Sequence, residues 1–419
     1  MLSKLRERLL LKTTTAQSDV SRAFLDQYLQ TPQTFYLGID PTASFLHLGH
    51  FMQIMATKWM LKYGHNGLLV LGEFTASIGD PSGRKTERQG ESSSIISTYT
   101  SDIHQLLSKI DTNTSKLLNI ENQLMILRNT WNDMSVKEFL QVGKHVSLSS
   151  MLSKDSVASR LSTTGISYTE FSYMLFQAYD FVYLNQKYKC SIQIGGSDQF
   201  GNIITGINLV NSMTATKQNV YGITLNLITD ENGDKLGKSL IQHNERGRPV
   251  ISSNYNDAVY LYKFIINIPS KMKADMISRL SHLEQSHSLY DLANFIIDSC
   301  WMDKDLVSTE IRLLLRCLMD PKSICSSDLL NLIKLDKKYD SFIKVAANGE
   351  LDCTQYIANA FSLSKSEIKK AIKNKSVKVF DIKNLTEYRL TSRSTVEKSL
   401  PIYSVISYGS NMPFVSILK

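Results

Sequence analysis

Short apolar runs alternate with helical patterns through the first 220 residues of the chain. The run at 67–72 is apolar and bounded by glycines, as expected for a strand buried in a parallel sheet. The run at 191–195 is a second candidate strand. Strands that alternate with helices predict an α/β fold with a doubly wound, Rossmann-type parallel sheet, whose ligand should lie beyond the carboxyl ends of the strands.

The second half of the chain has a different pattern. Apolar positions are spaced for helices at 260–266, 288–302 and 308–319, the charged stretch 334–344 indicates a linker, and strand-like runs follow at 376–380 and 412–418. We therefore expect five parts: a Rossmann-type α/β domain at 1–225, a mobile loop at 226–245, a helical domain at 246–335, a linker at 336–350 and a small α+β domain at 351–419.

Composition narrows the possible classes of protein. With 419 residues, 42% hydrophobic and 21% charged, the chain can bury the cores of two or three domains. Its net charge of +8 is weak support for a polyanionic partner. Five cysteines without a CxxC pair argue against a disulfide framework and a zinc ribbon, and indicate a reducing compartment. No apolar run is long enough to span a bilayer, so no membrane partner is expected.

The N-terminal segment 1–12 is basic and amphipathic. Glu7 lies in its middle, which favours a plain first helix over a transit peptide. We expect a cytoplasmic protein, and an organellar location in a mitochondrion or plastid stays open.

Two polar segments are candidates for handling a nucleotide. In residues 36–50 a strand-like segment ends at Gly38, a turn follows, and a helix starts near His47 of the sequence His-Leu-Gly-His. The N–H groups at a helix start favour a phosphate, imidazoles can donate to its oxygens, and Gly49 lets a base or ribose approach. Residues 230–239 place Lys235 and Lys238 around a glycine in a polar loop, which taken alone indicates only a solvated surface.

The segment 168–180 predicts a helix with a polar stripe. Tyr173, Gln177 and Asp180 fall on one face at i, i+4 and i+7, while Phe171, Leu175 and Phe176 suit a core. A polar stripe on a buried helix needs partners. It is either an internal hydrogen-bond network or the wall of a ligand site.

Together these motifs resemble the signatures of the class I aminoacyl-tRNA synthetases, with HLGH at 47–50 for the usual HIGH and KLGKS at 235–239 for the usual KMSKS. Within that class the chain is most similar to the tyrosyl-tRNA synthetases of bacterial and organellar type. The resemblance implies a ligase that forms tyrosyl-adenylate from tyrosine and ATP, and then transfers tyrosine to its transfer RNA. It also implies a homodimer, and Mg²⁺ that accompanies ATP without a dedicated protein site.

The resemblance assigns roles to particular residues. Tyr36 and Asp180 are expected to bind the phenolic hydroxyl, and Asp80, Tyr173 and Gln177 the ammonium group, with Gln193 and Gln199 beside them. The ATP contacts implied are Gly38, Asp40, His47, Gly49, His50, Asp198 and Lys238. The catalytic groups implied are Thr42, His47, His50, Arg84, Arg88, Lys235, Lys238 and Ser239.

The last 69 residues carry 11 Lys and Arg against 5 Asp and Glu, a net charge of +6. Ser364 and Glu367 predict a capping box that opens a basic helix. This segment resembles an S4 RNA-binding domain, which implies phosphate contacts from Lys365, Lys369, Lys370 and Lys373.

Three other functions were weighed. A tryptophanyl-tRNA synthetase shares the fold but fits the Tyr36 and Asp180 pair poorly. A small-molecule nucleotidyltransferase does not need the basic C-terminal module. A non-catalytic RNA-binding protein, such as a splicing factor, does not need the histidines and the complete set of tyrosine-binding residues.

Overall fold

We describe a computed structural model of the chain. It describes residues 1–8, 10–82, 91–229, 249–283, 287–301, 307–325, 328, 331–332, 334–335, 337–346, 353–391, 400, 403–408 and 413–418. The chain divides into two compact units. The first comprises Met1–Ser239, Ile251–Ser253 and Ile268–Cys300, and the second Leu240–Val250, Asn254–Asn267 and Trp301–Lys419. The predicted helical domain at 246–335 therefore contributes residues to both units.

The first unit is built on a mixed sheet. Its strands are β1 (Leu11–Thr14), β2 (Thr34–Ile39), β3 (Asn66–Leu71), β4 (Met125–Arg128), β5 (Cys190–Gly196) and β6 (Tyr221–Leu225). Their order is β1-β6-β5-β2-β3-β4, and every neighbouring pair is parallel except β1 with β6. The apolar runs at 67–72 and 191–195 are confirmed as β3 and β5. An all-parallel sheet was wrong for the edge strand β1, which is short and carries no periodic signal of its direction.

The helices alternate with these strands in the first unit. In chain order over both units, their bounds are α1 (Leu2–Glu7), α2 (Asp19–Tyr28), α3 (Leu48–Lys62), α4 (Glu73–Ile78), α5 (Ser93–Leu118), α6 (Val136–Gly143), α7 (Leu148–Leu152), α8 (Asp155–Leu161), α9 (Tyr168–Tyr188), α10 (Phe200–Met213), α11 (Tyr255–Ile266), α12 (Ser270–Leu280), α13 (Leu289–Trp301), α14 (Val307–Met319), α15 (Cys353–Phe361) and α16 (Lys365–Lys373). The helices predicted at 168–180, 260–266, 288–302 and 308–319 are thereby confirmed. The helix α9 continues eight residues beyond its predicted end, α11 begins five residues before its predicted start, and residue 302 lies outside the described residues.

The N-terminal segment packs into the first unit. Leu2 and Leu5 of α1 are buried. The Arg8 guanidinium donates to the backbone carbonyls of His282 and Leu283, so it satisfies acceptors just beyond α12. The expectation of a first helix is confirmed. Among the described residues, no helix is both long and apolar enough to cross a bilayer.

Two buried ion pairs hold the helices that carry the site. Lys58 of α3 donates to the Asp111 carboxylate at 2.5 Å and to Ser115 at 2.8 Å, which ties α3 to α5. Arg160 of α8 makes two 2.8 Å hydrogen bonds to the Glu170 carboxylate at the start of α9. A lone buried charge would be costly, but each of these charges has several partners. Both pairs therefore fix the geometry of the helices that they join.

The second unit contains its own sheet and core. Strands β7 (Ile343–Ala346), β8 (Val377–Asp381), β9 (Thr386–Arg389), β10 (Tyr403–Tyr408) and β11 (Phe414–Leu418) take the order β7-β11-β10-β8-β9. The linker predicted over 334–344 is contradicted where the chain forms β7, which pairs in parallel with β11. Tyr339 and Phe342 are fully buried there, and their apolar spacing was hidden among the charged residues. The capping box of Ser364 and Glu367 at α16 is confirmed.

Candidate active site

One end of the site is formed by Tyr36, Gln193 and Asp180. Tyr36 in β2 lies directly beside Gln193 in the neighbouring strand β5. The Tyr36 hydroxyl and Gln193 Oε1 are buried, and neither has a hydrogen-bond partner among the residues that the structure describes. Buried polar atoms without partners are rare in native structures. This end of the site therefore presents a donor and acceptors for a polar ligand group.

Asp180 of α9 completes this end of the site. Its Oδ1 accepts hydrogen bonds of 2.8 Å from the Trp131 indole and from the Asn132 amide. Burial nevertheless raises the pKa of Asp180 to about 7, because the two donors offset only part of the lost hydration. Burial and the nearby Asp180 charge also raise the pKa of Tyr36 well above its usual value, so the phenol stays protonated.

Asp40 holds a second group of side chains at the carboxyl end of β2. The Tyr173 hydroxyl donates to Asp40 Oδ2 and the Thr75 hydroxyl donates to Asp40 Oδ1, both at 2.8 Å. Gly72 makes this approach possible, because a Cβ there would lie 2.0 Å from Asp40 Oδ1. Burial, with the Asp40 charge next in importance, raises the pKa of Tyr173 well above its usual value. The phenol of Tyr173 is thus fixed as a donor towards Asp40.

Asp80 accepts the first of a series of hydrogen bonds between side-chain carboxamides. It follows Gly79, whose φ of 92° lets the backbone turn sharply after α4. Gln199 donates to Asp80 Oδ2 at 2.7 Å, and Gln177 donates to Gln199 Oε1 at 3.0 Å. Burial raises the pKa of Asp80, and the hydrogen bonds from Ser82 and Gln199 oppose that rise. A buried carboxylate of this kind favours a cationic ligand.

His47 and His50 form a reciprocal cap at the start of α3. Their rings stack with centroids 3.7 Å apart, and each Nδ1 accepts a backbone N–H of the other residue at 3.3 Å. Each neutral ring therefore carries its proton on Nε2, where it can donate. Burial lowers the pKa of His50 well below its usual value, with a smaller contribution from His47. Gly49 is needed locally as well, because a Cβ there would lie 2.9 Å from the His47 ring.

The remaining predicted residues fall into three groups. Gly38 and Thr42 flank Asp40 at the end of β2, and the Thr42 N–H donates to the Asp40 carbonyl at 2.9 Å. Asp198 lies in the short 3₁₀ helix Ser197–Gln199 that follows β5. Arg84, Arg88, Lys235, Lys238 and Ser239 lie outside the described residues.

Electrostatic interactions connect the carboxylates of the site with one another and with Tyr173. The Asp40 charge acts on Asp180, the Asp198 charge acts on Asp80, and Tyr173 is affected by three of these carboxylates. Among the described residues, no cluster of three or more His, Cys, Asp or Glu side chains could hold a metal ion.

Residues 29–295 match the family described as tRNA synthetases class I (W and Y). This match covers more than half of the chain. The chain belongs to that family.

Individual relatives agree with the family match. A tyrosine--tRNA ligase of Staphylococcus carnosus is 39% identical over 250 residues, which are 59% of this chain and 56% of that protein. A mitochondrial tyrosine--tRNA ligase of Drosophila melanogaster is 39% identical over 249 residues, 57% of this chain and 52% of that protein. The chain thus spans a little over half the length of these two relatives.

A solved structure gives the same result for the fold. The truncated mitochondrial tyrosyl-tRNA synthetase of Aspergillus nidulans superposes with a TM-score of 0.62 at 25% identity, over 75% of this chain and 93% of that chain. The doubly wound sheet predicted from sequence is therefore confirmed as the class I synthetase fold, with a mixed sheet.

Sequence reasoning missed several residues of this site. Trp131 and Asn132 lie in a 3₁₀ turn after β4 and orient Asp180, and the fully buried Asn129 donates to Thr75. Asn202 of α10 contacts the carboxamides. A cluster of Asn and Trp just after the short apolar run 124–127 is the only signal that could have pointed to the 129–132 segment.

The raised pKa of Asp180 predicts how the stability of the chain responds to pH. Between about pH 4 and pH 7 the folded protein keeps the Asp180 proton and the unfolded chain loses it, so this group makes the free energy of unfolding fall as pH rises. Asp180→Asn removes this dependence. The variant should therefore gain stability over the original chain by roughly 1.4 kcal/mol per pH unit across that window.

Urea unfolding of both proteins at pH 5, 6, 7 and 8 measures the difference. A stability difference that stays constant from pH 5 to pH 7 would show that the Asp180 carboxyl does not have a raised pKa.

Proposed function

We propose that the chain is a tyrosine--tRNA ligase. The observation that carries this proposal is the buried Tyr36 hydroxyl, which lacks a partner among the described residues and lies in the field of the Asp180 carboxylate. A phenol hydroxyl of a substrate can donate to Asp180 and accept from Tyr36. A phenylalanine side chain would leave the buried Tyr36 hydroxyl unpaired and would offer no donor to Asp180, which is costly for buried groups. An indole ring would place its N–H differently, so the pair favours tyrosine over tryptophan.

The other end of the amino acid fits the carboxamide end of the site. An ammonium group has three N–H donors, and Asp80, Tyr173 and Gln177 offer oxygen acceptors. The Tyr173 proton is already donated to Asp40, so its oxygen is left to accept. Gln199 lines the same region, whereas Gln193 lies at the phenol end beside Tyr36. The four carboxylates of Asp40, Asp80, Asp180 and Asp198 suit a cationic group and not a phosphate.

The phosphates of ATP require donors and cations. His47 and His50 offer Nε2–H donors next to the backbone N–H groups of the α3 terminus, and Thr42 lies at the preceding turn. Gly38, Asp40, Gly49 and Asp198 are proposed to contact the nucleoside portion. We assign the cationic role to Arg84, Arg88, Lys235 and Lys238, with Ser239 beside them. Mg²⁺ enters as part of the ATP substrate.

The reaction proposed has two steps. The tyrosine carboxylate attacks the α-phosphorus of ATP, and pyrophosphate leaves with the bonding electron pair. A terminal ribose hydroxyl of transfer RNA then attacks the carbonyl of the adenylate, and AMP leaves. Neither step needs a side-chain nucleophile, so the protein contributes positioning and stabilisation of developing charge.

Tyrosine-dependent exchange of pyrophosphate into ATP tests this function. We expect exchange with tyrosine and far less with phenylalanine or tryptophan. Exchange driven best by tryptophan would assign the other substrate of the family. Absence of exchange with any amino acid, from folded protein, would contradict adenylate formation.

For the second unit we propose an S4-like RNA-binding role. Lys365, Lys369, Lys370 and Lys373 of α16 are exposed, whereas Ile368 and Ile372 are buried on its other side. The basic side chains therefore lie on the solvent-facing side of α16, where phosphates can approach.

Reversing two of these charges separates RNA binding from adenylate formation. In Lys369→Glu/Lys373→Glu, charging of tyrosine transfer RNA should weaken about tenfold at low salt, while pyrophosphate exchange stays unchanged. Gel-shift titrations and aminoacylation rates at several salt concentrations measure this. Equal RNA affinity of both proteins would remove α16 from the RNA contact.

We also propose that the chain forms a homodimer. Val136 and Leu140 lie one turn apart on α6 and are 75% and 59% exposed, as expected for a surface that a second copy covers. Sedimentation of the intact chain beside Val136→Asp/Leu140→Lys tests this. A single monomeric species for both would contradict it.

The proposed compartment is the cytoplasm, with an organelle as the alternative, and localisation of the tagged chain decides between them.

A further inference from the structure

Asn202 is a buried hub next to the proposed ammonium site. It lies in the first turn of α10, and its side chain is almost fully buried. Its Nδ2 lies 2.7 Å from Gln177 Oε1, 3.2 Å from Gln199 Oε1 and 3.3 Å from the Ser82 hydroxyl. It therefore contacts both glutamines of the site.

The Asp80 carboxylate fixes the direction of the hydrogen bonds that link the side chains of Asp80, Gln199, Gln177 and Asn202. An ionised carboxylate only accepts, so Gln199 must present its Nε2 to Asp80. Gln199 Oε1 is then directed away from Asp80 and accepts from the amides of Gln177 and Asn202. Gln177 has now used its Nε2, so its Oε1 must face the Nδ2 of Asn202.

A carboxamide can rotate by half a turn and exchange its donor and acceptor at small steric cost. For Gln177 the exchange would turn an N–H₂ group towards an incoming ammonium, which offers only donors. The Asn202 amide opposes this rotation, because the rotated Gln177 would face it donor to donor. Asp40 likewise fixes the direction of the Tyr173 hydroxyl, because its Oδ2 accepts the Tyr173 O–H.

We propose that Asn202 is a positioning residue for amino-acid recognition: its side-chain amide holds Gln177 with Oε1 available to the substrate ammonium. The inference rests on the proposed function. Gln177 Oε1 has two lone pairs, so it can accept from Asn202 and from the ammonium together. Asn202 itself does not contact the substrate.

Two ligands distinguish this role from a general structural one. L-Tyrosine carries the ammonium group, and 3-(4-hydroxyphenyl)propionate has the same phenol and carboxylate without it. In Asn202→Leu, which keeps the branched shape and removes the amide, L-tyrosine should bind about tenfold more weakly or worse. The dissociation constant of the propionate should change less than about threefold, because its binding does not use Gln177 as an acceptor.

The measurement is equilibrium titration of the full-length chain with each ligand, after urea unfolding has shown that each variant is folded. Asn202→Ala is the second variant, since it lacks the amide and introduces no bulk. Asn211→Leu is the matched control. Asn211 lies further along α10, and its amide donates to the Ile207 carbonyl and accepts from the Gln218 N–H. This substitution should leave both dissociation constants unchanged.

Each outcome has one meaning. Selective loss of L-tyrosine affinity in both Asn202 variants supports the positioning role. Equal loss for the two ligands, or unchanged affinity for L-tyrosine in a folded variant, overturns it and leaves the proposed function standing. If the original chain does not bind L-tyrosine, the proposed function fails and this inference fails with it.

Discussion

Asp180→Ala is expected to lower kcat/KM for tyrosine-dependent pyrophosphate exchange by about 100-fold. A hydrogen bond between a hydroxyl and a charged group contributes about 1.5–3 kcal/mol, and each 1.4 kcal/mol is a factor of ten. The substitution also leaves the Trp131 indole and the Asn132 amide without the acceptor that now receives both at 2.8 Å. The proposed phenol site would thus lose its acceptor and the support around it.

Selectivity separates this effect from general damage. Phenylalanine has no hydroxyl to lose, so its slow reaction should change little, and the preference for tyrosine should fall by nearly the full factor. Asp133→Ala is the matched control, because this neighbouring carboxylate is exposed. Parallel exchange assays with both amino acids decide the matter. A variant that loses tyrosine and phenylalanine activity in equal proportion would mean that Asp180 supports the fold and not the choice of substrate.

The sequence was sufficient for features that follow from periodicity. The apolar run between two glycines forms β3, the polar stripe predicted over 168–180 forms one face of α9, and Ser364 with Glu367 forms the predicted capping box. Each of these is decided by residues within one turn or one strand of each other. Local patterns of this kind survive folding because tertiary packing reinforces them.

Long-range features could not be obtained in this way. Asn202 meets Gln177 across 25 residues, and Trp131 meets Asp180 across 49. No local pattern records such contacts. Phe171 and Phe176 were expected in the core but are only half-buried, and Phe176 instead stacks against Phe139 with ring centroids 5.1 Å apart. The tyrosine-site residues themselves came from resemblance to a family, and their roles stay proposals.

His50→Leu is expected to lower the rate of pyrophosphate exchange by about 100-fold, because it removes an oriented donor for charge that develops on phosphate. The donor is the Nε2–H group, since Nδ1 accepts the His47 backbone N–H at 3.3 Å. The apparent KM for tyrosine should change less than about threefold, because the residues proposed to bind tyrosine are elsewhere. His104→Leu, which alters an exposed histidine of α5, serves as the matched control.

The pH dependence of this loss tests the protonation state of His50. Burial lowers the pKa of His50 well below 6.5, so the ring is neutral throughout the range from pH 6.5 to pH 8.5. The ratio of the original rate to the His50→Leu rate should therefore be constant across that range. Taking the ratio cancels other titrations, including that of Asp180, whose pKa is about 7. If His50 acted as an imidazolium, it would lose its proton as pH rises and the ratio would fall. That result would show that the neutral donor assigned from the reciprocal cap is the wrong species.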